Sequence, residues 1–207
     1  MENKPKKVNV RYLCEVALLV AIELMMKLLG LGSVPIGPLY MSFLTIPIAI
    51  GAMLMGPLAG TILGAVFGAV SFKDAVTGVS LMTGTFFQIS PLHTLILCIG
   101  TRMLMGFCCG WLFRFLRMVD KKERVCYVLG ALSAPLLNTV FFMGYIVLVF
   151  YQTEYIQNLV TSYGAANPIG FVVLLVGVQG LVEAVVCAVV GGAVSKGAAV
   201  ALGKLSR

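Results

Sequence analysis

Charge is scarce in this 207-residue chain: Asp, Glu, Lys and Arg make up only 11% of it, against 60% hydrophobic residues. A soluble domain carries roughly 25% charged residues, so the composition excludes an ordinary water-soluble protein. Histidine occurs once, at His93, which rules out a histidine pair on a metal and the H-E-x-x-H arrangement. There is no G-x-S-x-G, no second histidine for a catalytic dyad and no G-x-x-x-x-G-K-[ST] phosphate loop. The chain therefore has no recognisable means of hydrolysing ATP, reads as a non-enzyme, and calls for no cofactor. The six cysteines, Cys14, Cys98, Cys108, Cys109, Cys126 and Cys187, form no C-x-x-C and lie in or beside apolar runs, where thiols serve as small buried packing groups.

Long apolar runs fill the space that charge leaves. Residues 42–72, SFLTIPIAIGAMLMGPLAGTILGAVFGAVSF, contain no charge and are broken only at Pro47 and Gly56-Pro57. About twenty apolar residues span a bilayer as a helix, so this stretch reads as a membrane hairpin turning at Gly56-Pro57. Gly56, Gly60, Gly64 and Gly68 recur every fourth residue and fall on one helix face. Small residues at that spacing let another helix backbone approach closely, and the expectation is that the two arms of the hairpin pack on each other. The apolar segments are long and lack the short alternation of barrel strands, so the fold class is an all-α helical bundle in the membrane. The first run contains Glu15, Glu23 and Lys27 and reads as a transmembrane helix rather than a signal peptide.

Six spans follow within one integral-membrane domain covering residues 1–207, at about 10–31, 42–55, 58–72, 91–116, 125–151 and 168–194. A Gly/Pro-rich loop joins the first two, and the segment 73–90 is a partly hydrophobic loop folded back on the bundle. Lys4, Lys6, Lys7 and Arg11 precede the first span, Arg114, Arg117, Lys121, Lys122 and Arg124 separate the fourth from the fifth, and Lys196, Lys204 and Arg207 follow the sixth. Six crossings put all three clusters on one side, which the positive-inside rule makes the cytoplasm; both termini are expected there. The net charge of +7 is thus a topological signal, dispersed in short clusters, and implies no nucleic-acid partner.

Polar groups inside the spans are costly and mark function or mutual neutralisation. Arg11/Glu15 and Glu23/Lys27 are i,i+4 pairs in the first span, whose opposite face carries Ala17 and Ala21 as a small-xxx-small pattern. Arg102 sits deep in the fourth span, Asn138 and Thr139 in the fifth, and Gln179 and Glu183 one turn apart in the sixth. Two roles are open and compatible: Arg102 and Glu183 neutralise each other, or these groups line a solute pocket in which Arg102 meets a carboxylate. Phe72, Phe86, Phe87, Phe141, Phe142 and Tyr145 gather near the external ends, either as interfacial anchors or, beside Gln88, Ser90, His93 and Asn167, as the mouth of that pocket. His93 on its own reads as a local hydrogen-bonding group.

The chain resembles the substrate-binding S components of energy-coupling-factor (ECF) vitamin transporters over nearly its whole length. The resemblance rests on Ala17-x-x-x-Ala21, IPIAIGAMLMGPLAGTILGAVFGAVSF, SPLHTLILCIGTRMLMGFCCGW, LLNTVFFMG and GVQGLVEAVVCAVVGGAVSK, and is greatest to the pantothenate-type members in FLTIPIAIGA, LLNTVFFMG and YIQ. It implies a multi-pass protein of the bacterial plasma membrane that captures a vitamin outside and delivers it inward with a transmembrane T component and two cytoplasmic ATPases. It also implies that Ala17, Ala21 and the Gly56-Pro57 turn face the partner, and that Arg102, Asn138, Thr139, Tyr145, Gln179, Glu183, Gln88, Ser90 and His93 are solute-site candidates. Pantothenate carries a carboxylate, an amide and two hydroxyls, the groups that an arginine, side-chain amides and hydroxyls recognise. The alternative is a stand-alone ion-driven carrier with Glu23 and Glu183 as ion sites.

Overall fold

The computed structural model describes residues 10–31, 34–36, 39–120, 123 and 125–203. Helix α1 (Val10–Leu28) leads into an antiparallel ribbon, β1 (Val34–Ile36) and β2 (Leu39–Met41), with Val34 opposite Met41. Then follow α2 (Thr45–Met55), α3 (Pro57–Val76), α4 (Leu81–Ile89), α5 (Pro91–Val119), α6 (Cys126–Phe150), α7 (Glu154–Ser162) and α8 (Pro168–Ala201). Among the described residues α3, α5, α6 and α8 are long and apolar enough to cross a membrane. Helix α2 is apolar but only 11 residues long, and α1 carries four charged side chains. Two segments expected as loop are helical: α4 and α7 each lay apolar residues on the bundle, with Phe86 and Ile156 fully buried.

The α2–α3 turn is made by Gly56 at φ 94°, a left-handed conformation that L side chains avoid, followed by Pro57 in the first turn of α3. The glycine ladder that follows does not chiefly join the arms of the hairpin. It faces α5: Gly60 and Gly106 lie backbone to backbone, Gly64 abuts the Arg102 carbonyl, and a Cβ at Gly68 would sit 2.6 Å from the Ile99 Cα. Gly106 and Gly110 form a second small-xxx-small pair on α5, so both helices are cut for the contact, whereas α2 offers Ala52 alone to Gly60.

Two apolar clusters result. One, around Leu44, Ile48, Leu63, Met105, Phe113 and Ala131, fills the end of the bundle nearest the α2–α3 turn; the other, around Phe86, Leu97, Phe142, Ile146, Phe150 and Phe171, fills the opposite end. Pro135 inside α6 has no amide for the Ala131 carbonyl, and the Cys187 thiol of α8 donates to that carbonyl at 3.1 Å instead. Cys187 thus does more than fill space.

In α1 the expected Arg11/Glu15 pair forms at 2.9 Å. Lys27, however, reaches across to Asp74 of α3. Glu23 is fully buried, with no hydrogen-bond partner for either carboxyl oxygen among the described residues. Of the basic residues read for orientation, Lys4, Lys6, Lys7, Lys121, Lys122, Arg124, Lys204 and Arg207 lie outside the described residues.

Candidate functional site

Arg102 is placed by its own helix and by the ladder. A π-helical turn, Ile96–Gly100, precedes it in α5, and such turns leave carbonyls without regular helical partners, often at functional sites. Arg102 Nη1 donates to the Cys98 carbonyl at 3.1 Å and to that of Leu97 at 3.5 Å, which also accepts from the Thr101 hydroxyl. The guanidinium lies between two rings, 4.4 Å from the centroid of Phe67 on α3 and 4.6 Å from that of Phe142 on α6. Stacking of this kind holds the planar cation in one orientation and stabilises it away from water. Its Nε, buried, has no hydrogen-bond partner among the described residues.

That orphan donor belongs to a small cavity of about 60 Å³ between the two apolar clusters, lined by Arg102, Ser42, Asn138, Thr139, Gln179 and Glu183 with Phe67, Phe142, Met143 and Val176. Glu183 Oε1 accepts from the Ser42 amide at 2.6 Å, and the Gln179 side chain also hydrogen-bonds to Glu183. No ion pair joins Arg102 to Glu183 among the described residues; the carboxylate is held by amide donors and the guanidinium by carbonyls and rings. Asn138 Oδ1 is buried without a donor among the described residues. A buried unsatisfied donor and acceptor each cost about 1–3 kcal/mol, and both are relieved by a solute presenting a carboxylate to Arg102 and a hydroxyl or amide N–H to Asn138.

Five of the sequence candidates, Arg102, Asn138, Thr139, Gln179 and Glu183, therefore come together around one cavity. The other four do not line it. His93 Nδ1 and the Tyr145 hydroxyl are hydrogen-bonded to each other at 2.9 Å, and the His93 ring meets Phe150 edge-on. Ser90 caps its own helix turn through its carbonyl, which accepts from the Thr94 hydroxyl at 3.0 Å, and Gln88 is exposed. Sequence reasoning missed Ser42, whose contribution is a backbone amide, and Phe67, an apolar residue in an apolar span. On the candidate partner face Ala17 and Ala21 are exposed, Gly56 is half-buried against Arg114, and Pro57 is buried beneath Gly110.

The chain matches none of the curated proteins with which it was compared. A family model described as ECF transporter, substrate-specific component, matches residues 11–193. A multi-pass helical fold with a polar cavity between its helices agrees with that description, and the chain belongs to the family of ECF transporter substrate-specific components.

Proposed function

We propose that the protein is the pantothenate-binding subunit of an ECF importer, crossing the bacterial plasma membrane six times with both ends in the cytoplasm. The observation that carries the solute reading is that Arg102 Nε and Asn138 Oδ1, both unsatisfied among the described residues, belong to side chains lining one cavity. Pantothenate offers a carboxylate to the first and a hydroxyl to the second, with Thr139, Gln179 and Glu183 for its remaining polar groups. At about 60 Å³ the cavity is smaller than the roughly 300 Å³ at which ligand pockets begin. Solute entry then requires the aromatic side to move, and Tyr145, His93, Gln88 and Ser90 are assigned to that entry path.

The orientation is supported by the grouping of helix ends. Arg114 lies on the α2–α3 turn, and Glu15 of the first α1 turns shares a groove with Met55 and Leu202 at the ends of α2 and α8. The described basic residues Arg11, Arg114 and Arg117 flank these ends, as a cytoplasmic face requires. Ala17 and Ala21, exposed on α1, are assigned to the T component, with Gly56 and Pro57 at the turn beneath it and two ATPases supplying energy from the cytoplasm.

Calorimetry on the purified chain with a panel of vitamins, in the absence of ATP, tests this. Saturable binding of pantothenate is expected; tighter binding of another vitamin would replace the solute assignment, and no binding of any would remove the reading. Buried Glu23, without a hydrogen-bond partner among the described residues, favours the competing ion-driven carrier. Uptake by this chain alone in vesicles, collapsed by an ionophore, would establish that carrier.

A further inference from the structure

The arginines at the far end of α5 border two hollows that no solute-binding role uses. One, of about 220 Å³, runs between the α2–α3 turn and α5 and is lined by Ala52 to Gly56 with Phe113, Arg114 and Arg117. The other, of about 590 Å³, is lined by the same two arginines with Trp111, Phe115 and Met118. Arg114 borders both. Its Nη2 lies 3.1 Å from where a Gly56 Cβ would be, its guanidinium carbon is 5.4 Å from the Trp111 ring centroid, and it forms no ion pair among the described residues. Arg117 next to it holds Glu123 at 2.7 Å. On the outer hollow Trp111 is 54% exposed, Phe115 58% and Met118 68%.

A cationic pocket joined to an exposed apolar groove, with a tryptophan at the junction, has the shape of an amphiphile with a negative head. Tryptophan and arginine sit together at the depth of lipid headgroups, and basic pockets between transmembrane helices bind anionic phospholipids. We infer that Arg114, with Arg117 and Trp111, forms a site for one anionic phospholipid, its phosphate on the arginines against the α2–α3 turn and its acyl chains along Trp111, Phe115 and Met118. Just beyond in sequence, residues 120–124 hold Lys121, Lys122 and Arg124 against Asp120 and Glu123, one net positive charge.

Trp111 is the only tryptophan and so reports on the site directly. The full chain is reconstituted with acyl-brominated phosphatidylglycerol or acyl-brominated phosphatidylcholine at equal mole fraction, and quenching of Trp111 is measured. The phosphatidylglycerol is expected to quench more, with the preference falling about fivefold in Arg114→Gln, the effect of one arginine near a surface, and only partly in Arg114→Lys. Equal quenching by the two lipids in the wild-type chain overturns the site, whether or not the variants fold, as does an undiminished preference in Arg114→Gln. Soluble glycerol phosphate should not compete; if it protects Trp111 as well as unlabelled phosphatidylglycerol does, the ligand is a free phosphoester and the lipid assignment fails. If Arg114→Gln keeps its lipid preference but no longer co-purifies with the ATPases, the face docks a protein and the inference is likewise overturned.

Discussion

The two ends of the bundle are packed by opposite means. Around the α2–α3 turn, helices meet backbone to backbone: Gly60 against Gly106, Gly64 against the Arg102 carbonyl, Gly110 against Pro57. At the other end side chains do the packing, with Phe86 stacked on Phe150 at 4.3 Å and in turn edge-on to Tyr155, and Tyr151 edge-on to Phe171. Backbone contacts between two long helices leave no rotamers to adjust, whereas aromatic side chains can change rotamer without unfolding a helix. The cavity lies on the seam. Arg102 is fixed from the rigid side, while Phe142, Met143 and Val176 close it from the adaptable side. On the proposed function Arg102 is held in place by the rigid half, Asn138, Thr139, Gln179 and Glu183 are supplied by α6 and α8, and access is governed by the aromatic half.

The largest effect expected from breaking this division is in the ladder. Gly64→Leu places a side chain where the Arg102 backbone now sits, and loss of monodisperse protein on size exclusion is expected; a well-behaved variant that binds solute normally would mean the ladder is not a rigid frame. Gly64→Ala sharpens the point. Overpacking of this size costs about 1–3 kcal/mol, read as a lowered midpoint of thermal unfolding, and solute affinity should fall with it because Arg102 shifts. Phe86→Leu on the aromatic side should cost about 1 kcal/mol of stacking, and should speed solute entry and exit in stopped-flow more than it changes affinity. Smallest in its effect on stability and solute affinity is Ala17→Trp, on an exposed face of α1. It should leave solute affinity unchanged within about twofold while abolishing uptake by the assembled transporter, since bulk at a small-xxx-small face blocks helix approach.

The difference between the halves also explains what the sequence disclosed. Arg102, Asn138, Thr139, Gln179 and Glu183 stood out because a polar group in an apolar span needs a reason, and all five line the cavity. Phe67 and Val176 line it too, yet one apolar side chain among dozens carries no signal of its role. The glycine spacing announced a close helix contact but not with which helix, since Gly106 and Gly110 on α5 are legible as partners only once α3 and α5 are seen to cross. Lys27 illustrates the same limit. Local spacing paired it with Glu23, while the fold pairs it with Asp74, 47 residues away. Helices α4 and α7 were concealed by their length of nine residues each, too short for a span, although Tyr155, Ile156, Leu159 and Val160 share one face of α7 and the burial of Phe86 and Ile156 makes both helices part of the core.

The most direct test of the account compares pantothenate with its alcohol analogue, in which the carboxylate is replaced by a hydroxymethyl group, on wild type and on Arg102→Gln by calorimetry. A hydrogen bond to a charged group contributes about 1.5–3 kcal/mol, so the wild-type chain should prefer the acid by at least about tenfold, and Arg102→Gln should bind acid and alcohol alike. An undiminished preference for the acid in Arg102→Gln would contradict the assignment of Arg102 to the solute carboxylate.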